Sequence, residues 1–211
     1  MSLGAIRLEG ENLTCVRGGR EVFAGLGFSV RAGEALVVAG RNGAGKSSLL
    51  RMIAGLVRAA AGRLALAGGD PERTLPEQVH YLGHQDALKS SLTVIENLTF
   101  WARYLGADGQ APVAALETVG LDAVADLPAG YLSAGQRRRL SIARLLVTKR
   151  PAWLLDEPTT ALDRAAQDML AGLMKAHLSG DGLIVAAAHG PIGLERAKEL
   201  RLGDGKSGES T

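Results

Sequence analysis

Residues 35–55 read Ala35-Leu-Val-Val-Ala39-Gly40-Arg-Asn42-Gly43-Ala-Gly45-Lys46-Ser47-Ser48-Leu-Leu-Arg-Met-Ile-Ala-Gly55. The run Ala35–Ala39 is continuously apolar, the pattern of a strand buried on both faces. It leads into a glycine-rich loop, and SSLLRMIA then reads as a helix ending near Gly55. Gly40 to Ser47 satisfies G-x-x-x-x-G-K-[ST] without a mismatch, in the strand–loop–helix setting the motif requires. The glycines allow successive backbone N–H groups to wrap phosphates, and the helix N-terminus adds its positive dipole end. Lys46 is expected to reach the β- and γ-phosphates, and the Ser47 hydroxyl to ligate Mg²⁺.

A second stretch, Ala152-Trp-Leu-Leu-Asp156-Glu157, reads as a buried strand finishing in two carboxylates. Neighbours on a strand point to opposite sides, so the two acids need not compete for one position. Asp156 suits the Mg²⁺ shell, and Glu157 suits polarising an attacking water. Gly182 to Ala188, GLIVAAA, reads as a further buried strand with His189 at its carboxyl end. In an open α/β sheet, ligands bind at that end. A solvated strand end or a structural histidine is the alternative for each feature taken alone.

Around these motifs the chain alternates strands and helices. Residues 5–38 read as β-rich, and short strands follow at 63–67 and 78–82. A helical stretch occupies about 86–150, with one helix capped by Thr93 and presenting Val94, Leu98, Trp101 and Leu105 on one face. Two more are expected over 112–119 and 134–148. After Pro151 strands return, with a helix from Asp163 to about His177. The pattern predicts a parallel α/β core interrupted by a helical lobe. The core is assigned to 1–85 and 151–211 and the lobe to 86–150.

Composition narrows the function. The chain has 211 residues, enough for a real core, with Lys+Arg 24 against Asp+Glu 22. So small an excess argues against a dedicated nucleic-acid binder, which usually shows a strong basic excess. Gly reaches 28 residues with no G-x-y period, which excludes collagen and implies many tight turns. The single cysteine, Cys15, has no internal disulfide partner and reads as a packing residue. The N-terminus has too short an apolar run for a signal peptide, and no stretch reaches the ~18–20 apolar residues of a membrane helix. A soluble chain without membrane insertion is expected. His80 and His84 lack a third ligand at metal spacing. Gly203–Gly208 fits G-x-G-x-x-G, but Leu200 and the missing downstream helix make it a tail, expected to fray.

One further segment makes the pattern specific. Leu132-Ser133-Ala134-Gly135-Gln136, followed by Arg137-Arg138-Arg139, resembles the signature sequence of ABC transporter ATPases. Gln85 resembles that family's glutamine at the core-to-lobe junction, Thr160–Asp163 its dimer-contact loop, and His189 its switch histidine. The resemblance spans nearly the whole chain and implies a P-loop NTPase (RecA-like) α/β core, an N-terminal antiparallel β subdomain and an inserted helical lobe. It also implies a homodimer closing on two ATP molecules, each bound by the phosphate loop of one subunit and by Ser133 and Gly135 of the other. In that scheme Glu157, His189 and Gln85 are catalytic, with Ser47, Gln85 and Asp156 around Mg²⁺ and Asp163 in the dimer loop. Gly40, Asn42, Gly43, Gly45, Lys46, Ser47 and Ser48 bind ATP. Arg17 occupies the slot where the family places an adenine-stacking aromatic, and a guanidinium plane can also stack. The arginine run reads as a solvated helix face.

A narrower likeness rests on Tyr81-Leu-Gly-His84-Gln85-Asp-Ala-Leu-Lys89 and on Leu92 to Trp101. This stretch is similar to the ATP-binding subunits of cytochrome c biogenesis (haem export) transporters. It implies a peripheral subunit on the cytoplasmic face of a bacterial inner membrane, with separate integral membrane subunits and no nucleic acid as partners. The complex would export haem or release a haem carrier. Another ABC exporter or importer is the alternative. A soluble non-transport member would carry fused cassettes or coiled-coil insertions, and a non-hydrolysing module would lack Glu157 or His189.

Overall fold

The computed structural model describes residues 6–106, 108–188 and 190–203, and they fall into two compact units. The first contains residues up to Gly83, Arg150–Pro158 and the chain from Leu173 onward. The second contains His84–Lys149 and Thr159–Gly172.

The first unit carries two sheets. Strands β1 (Arg7–Arg17), β2 (Arg20–Arg31) and β4 (Ala61–Ala67) form an antiparallel sheet in the order β2-β1-β4. The other sheet is parallel, in the order β5-β6-β7-β3-β8, from β3 (Ala35–Gly40), β5 (Val79–Leu82), β6 (Ala152–Asp156), β7 (Leu183–Ala187) and β8 (Ala197–Leu202). Every residue of β6 and β7 is buried, as their unbroken apolar runs require of central parallel strands. The hydrophobic core joins Leu36 and Val38 of β3, Leu154 of β6 and Val185 of β7. To these it adds Leu49, Leu50 and Ile53 of helix α1 (Lys46–Ile53) and Leu8, Leu13 and Val30 of the antiparallel sheet. β8 carries no apolar run, and the sequence pattern did not announce it. Among the described residues it is an edge strand pairing with β3 alone, and only Leu200 and Leu202 of its six residues are buried.

The second unit is helical: α2 (Val94–Leu105), α3 (Pro112–Thr118), α4 (Ala134–Ala143) and the first half of α5 (Arg164–Ser179). Thr93 caps α2 as expected, in a reciprocal capping box with Glu96. Helix α4 is shorter than the predicted 134–148. After Ala143 the chain tightens into i→i+3 turns, Leu145 N–H to Ile142 O and Leu146 N–H to Ala143 O. No helix among the described residues is long and apolar enough to cross a membrane.

Candidate nucleotide site

The turn from β3 into α1 is built on backbone that only glycine adopts freely. Gly40 and Gly45 have φ of 144° and 104°, and a Cβ at Gly45 would lie 2.6 Å from Val22 Cγ1 and 2.9 Å from Phe23 Cδ1. The β1–β2 hairpin therefore rests directly on the glycine-rich loop. Ser48 hydrogen-bonds the buried Cys15 sulfur across the same contact, and burial is the chief influence pushing that thiol's pKa upward. Gly45 occupies the N-cap of α1 without a side-chain cap, so the first amides of the helix are not closed off by a capping side chain.

Lys46 is 7% exposed, and its ammonium donates to the carbonyls of Gly40 (2.8 Å) and Arg41 (3.3 Å). A cation this buried must be held by oxygens, and here the loop's own carbonyls hold it. Asn42 and Gly43 form the exposed tip of the loop.

Two parallel strands deliver the next pair. Ser47, on the first turn of α1, donates from Oγ to Oδ1 of Asp156 at 2.9 Å, joining residues 109 positions apart in the chain. Asp156, at the carboxyl end of β6, is 1% exposed. The sequence assigns Tyr81 no role at the site, yet its hydroxyl donates to Asp156 Oδ2 at 3.2 Å and accepts from Arg51 Nε at 3.3 Å. Register explains the meeting. Tyr81 pairs with Leu154 in the parallel β5–β6 ladder, and Asp156 stands two residues further along the same face. No spacing rule in a single sequence reveals that pairing.

Glu157 lies just past the strand rather than on it. Its φ is +49°, a left-handed conformation uncommon outside glycine, and its N–H donates to Ala187 O at 2.9 Å. The separation of the two acids is thus set by a left-handed turn after Asp156, not by the strand alternation expected from the sequence. Such a conformation stores backbone strain of order 1–3 kcal/mol, maintained by the surrounding structure. Arg17 is exposed at the end of β1, paired across the hairpin with Arg20. His189, expected beyond β7, lies outside the described residues, as does the tail beyond Gly203.

Gln85, exposed, belongs to the second unit with the signature residues and Asp163. Within that unit Ser133 is the N-cap of α4: its Oγ accepts from Gln136 N–H at 3.2 Å, and Gln136 Oε1 accepts from Ser133 N–H at 2.8 Å. The Ser-x-x-Gln spacing inside the signature is therefore a capping box. Leu132 is buried, whereas Ser133 and Ala134 are exposed. A Cβ on Gly135 would lie 3.0 Å from Ala161 O, so the signature turn and the Thr160–Asp163 loop are in close approach. Asp163 Oδ1 accepts from Ala166 N–H at 2.8 Å, capping α5.

The arginine run is not the solvated face expected of it. Arg138 is 4% exposed and lies 3.7 Å from Asp86, while Arg139 donates to the carbonyls of Val119 (2.9 Å) and Gly120 (3.0 Å). Arg137 donates to Leu132 O. Arg137 and Arg139 satisfy backbone carbonyls at the turns of the lobe, and Arg138 pairs with a carboxylate that also accepts from Ser141 Oγ.

The family model described as ABC transporter matches residues 23–160. The chain belongs to the ABC transporter family. It is 61% identical over 198 residues to the cytochrome c biogenesis ATP-binding export protein CcmA of Bradyrhizobium diazoefficiens, covering 94% of this chain and 98% of that one. The CcmA protein of Mesorhizobium japonicum is 55% identical over 199 residues, with the same coverage. Among solved structures, one titled as the ATP binding subunit of an ABC transporter superposes with a TM-score of 0.85 at 23% identity, covering 97% of this chain and 89% of that one. A bacterial Atm1-family ABC exporter with ATP bound gives 0.81 at 24% identity, covering all of this chain and 39% of the exporter. At those identities the structures speak for the fold, and the ABC ATPase α/β fold expected from sequence is the one observed.

Proposed function

We infer that this chain is the ATP-hydrolysing subunit of a membrane ABC transporter complex serving c-type cytochrome biogenesis. The observation that carries the ATPase reading is the Ser47–Asp156 hydrogen bond, which ties a glycine-built phosphate loop to the acid at the end of β6, a parallel strand separated from β3 by β7. The cytochrome branch is supported by near-full-length identity of 53–61% to CcmA proteins.

Lys46 is held over the loop by carbonyls it exchanges for phosphate oxygens, and the loop amides and the α1 N-terminus supply the remaining positive potential. Ser47 and Asp156 form a hard-oxygen pair, one hydroxyl and one buried carboxylate 2.9 Å apart, which fits Mg²⁺. When bound there, Mg²⁺ neutralises charge on the β- and γ-phosphates. Glu157 accepts a proton from the attacking water as its oxygen bonds to the γ-phosphorus. The bond from that phosphorus to the bridging oxygen breaks, leaving ADP and phosphate. This reading assigns Gln85 and His189 to the γ-phosphate and Arg17 to the base.

In the dimer that this reading requires, Ser133 and Gly135 of one copy present the α4 N-terminus to the nucleotide of the other. The integral membrane subunits dock on the helical unit, and the chain is peripheral at the cytoplasmic face of the inner membrane. Haem, or a haem carrier released by the cycle, is the cargo. Glu157→Gln tests the scheme: it retains ATP binding and stalls as a closed dimer, eluting earlier by size-exclusion chromatography with ATP than without. A variant that stays monomeric and hydrolyses ATP at the wild-type rate contradicts it.

A further inference from the structure

Four side chains of the first unit form a single directed chain of hydrogen bonds: Arg51 Nε to Tyr81 Oη (3.3 Å), Tyr81 Oη to Asp156 Oδ2 (3.2 Å), and Ser47 Oγ to Asp156 Oδ1 (2.9 Å). Its direction is forced by chemistry. A guanidinium has only donors and an ionised carboxylate only acceptors, so the Tyr81 proton points at Asp156.

The ring is also placed by its surroundings. A Cβ on Gly83 would lie 3.0 Å from Tyr81 Cε1 and 3.2 Å from its hydroxyl, so the absence of a side chain at 83 makes room for the phenol. The two Asp156 oxygens are therefore anchored from different elements, Oδ1 by α1 and Oδ2 by β5, and the carboxylate cannot turn about its Cβ–Cγ bond without breaking one bond.

We propose that Tyr81, backed by Arg51, is a positioning residue that sets the rotation of the Asp156 carboxylate for divalent-cation binding. This rests on the reading of Ser47 and Asp156 as the cation's oxygen pair. Release of Ser47 Oγ from Oδ1 frees that oxygen as a donor, while Tyr81 keeps Oδ2 and the carboxylate plane in place. Arg51 strengthens the hold because a hydroxyl that accepts from a cation is a better donor.

The test uses the purified full-length chain, a fluorescent, slowly hydrolysed ATP analogue and Mn²⁺ as the cation. Analogue affinity is measured in EDTA and in saturating Mn²⁺, and the ratio of the two is the cation enhancement. Tyr81→Phe is expected to lower that enhancement about ten- to hundredfold, the net worth of one hydrogen bond to a charged group, while leaving the EDTA affinity unchanged. Arg51→Met moves it the same way by less, and Arg51→Lys recovers part of the loss. Asp156→Asn serves as the reference and abolishes the enhancement. If Asp156→Asn abolishes it and Tyr81→Phe leaves it at the wild-type value, the positioning role is wrong and the cation reading stands. A lowered unfolding temperature for Tyr81→Phe with no change in enhancement has the same meaning, a structural hydrogen bond only. If Asp156→Asn also retains the enhancement, the cation reading itself fails and the proposal falls with it.

Discussion

Stability should depend on pH through His177, whose imidazole stacks on Trp153 at 4.1 Å between ring centroids and 10° between planes. Its Nε2 lies 3.2 Å from Leu183 O, and there is no room beside it for a side chain at Gly182. Burial holds its pKa down at about 4 against an ordinary 6.5, outweighing the opposing pull of the Leu183 and Pro151 carbonyls. The folded state thus keeps this imidazole neutral. As pH falls below 6.5 the unfolded chain takes up a proton the folded chain refuses, so the contribution is complete above 6.5 and is lost progressively down to about 4. Across that window the loss approaches roughly 3 kcal/mol, on the order of 1.4 kcal/mol per pH unit in its steep part. The assay is urea unfolding at half-unit steps from pH 7.5 to 4.5, with His177→Gln as the reference. Carboxylates that titrate near the lower end affect both proteins alike, so the difference between the two curves isolates His177. The wild type should lose stability more steeply than His177→Gln between pH 6.5 and 4.5. Parallel curves would refute the reasoning.

Two substitutions examine separate parts of the nucleotide site. Lys46→Ala removes the ammonium that the Gly40 and Arg41 carbonyls hold, and it should reduce ATP turnover at least a hundredfold, measured as phosphate release; full turnover would remove the phosphate-loop assignment. Ser133→Arg places a bulky cation at the α4 N-cap and costs about 1 kcal/mol in lost capping, while it should abolish hydrolysis yet leave equilibrium binding of ATP to the same subunit near wild type. Equal loss of binding and hydrolysis would count against a site shared between two copies.

Much of the fold was legible because the deciding elements are local. An apolar run followed by a glycine loop and a lysine-serine helix start has one structural solution, and β3, the loop and α1 realise it. Thr93 and Ser133 each announce a helix through a box four residues long. What could not be read depends on register or on partners distant in sequence. β8 carries only two inward-facing leucines and pairs along one edge. Tyr81 reaches Asp156 only because β5 and β6 pair in one register, and Arg138 looks like any surface arginine until Asp86 is folded against it. Glu157 was selected from sequence by its neighbour, but its left-handed backbone has no signature in residue type, since glutamate rarely adopts it.

ATP hydrolysis and c-type cytochrome assembly are tested together by a haem stain for c-type cytochromes. A strain lacking this chain is complemented with the wild type or with Glu157→Gln, each confirmed to accumulate. The stain should disappear in the deletion, return with the wild type and stay absent with Glu157→Gln. An unaffected stain in the deletion strain, or full restoration by Glu157→Gln, would contradict the proposed function.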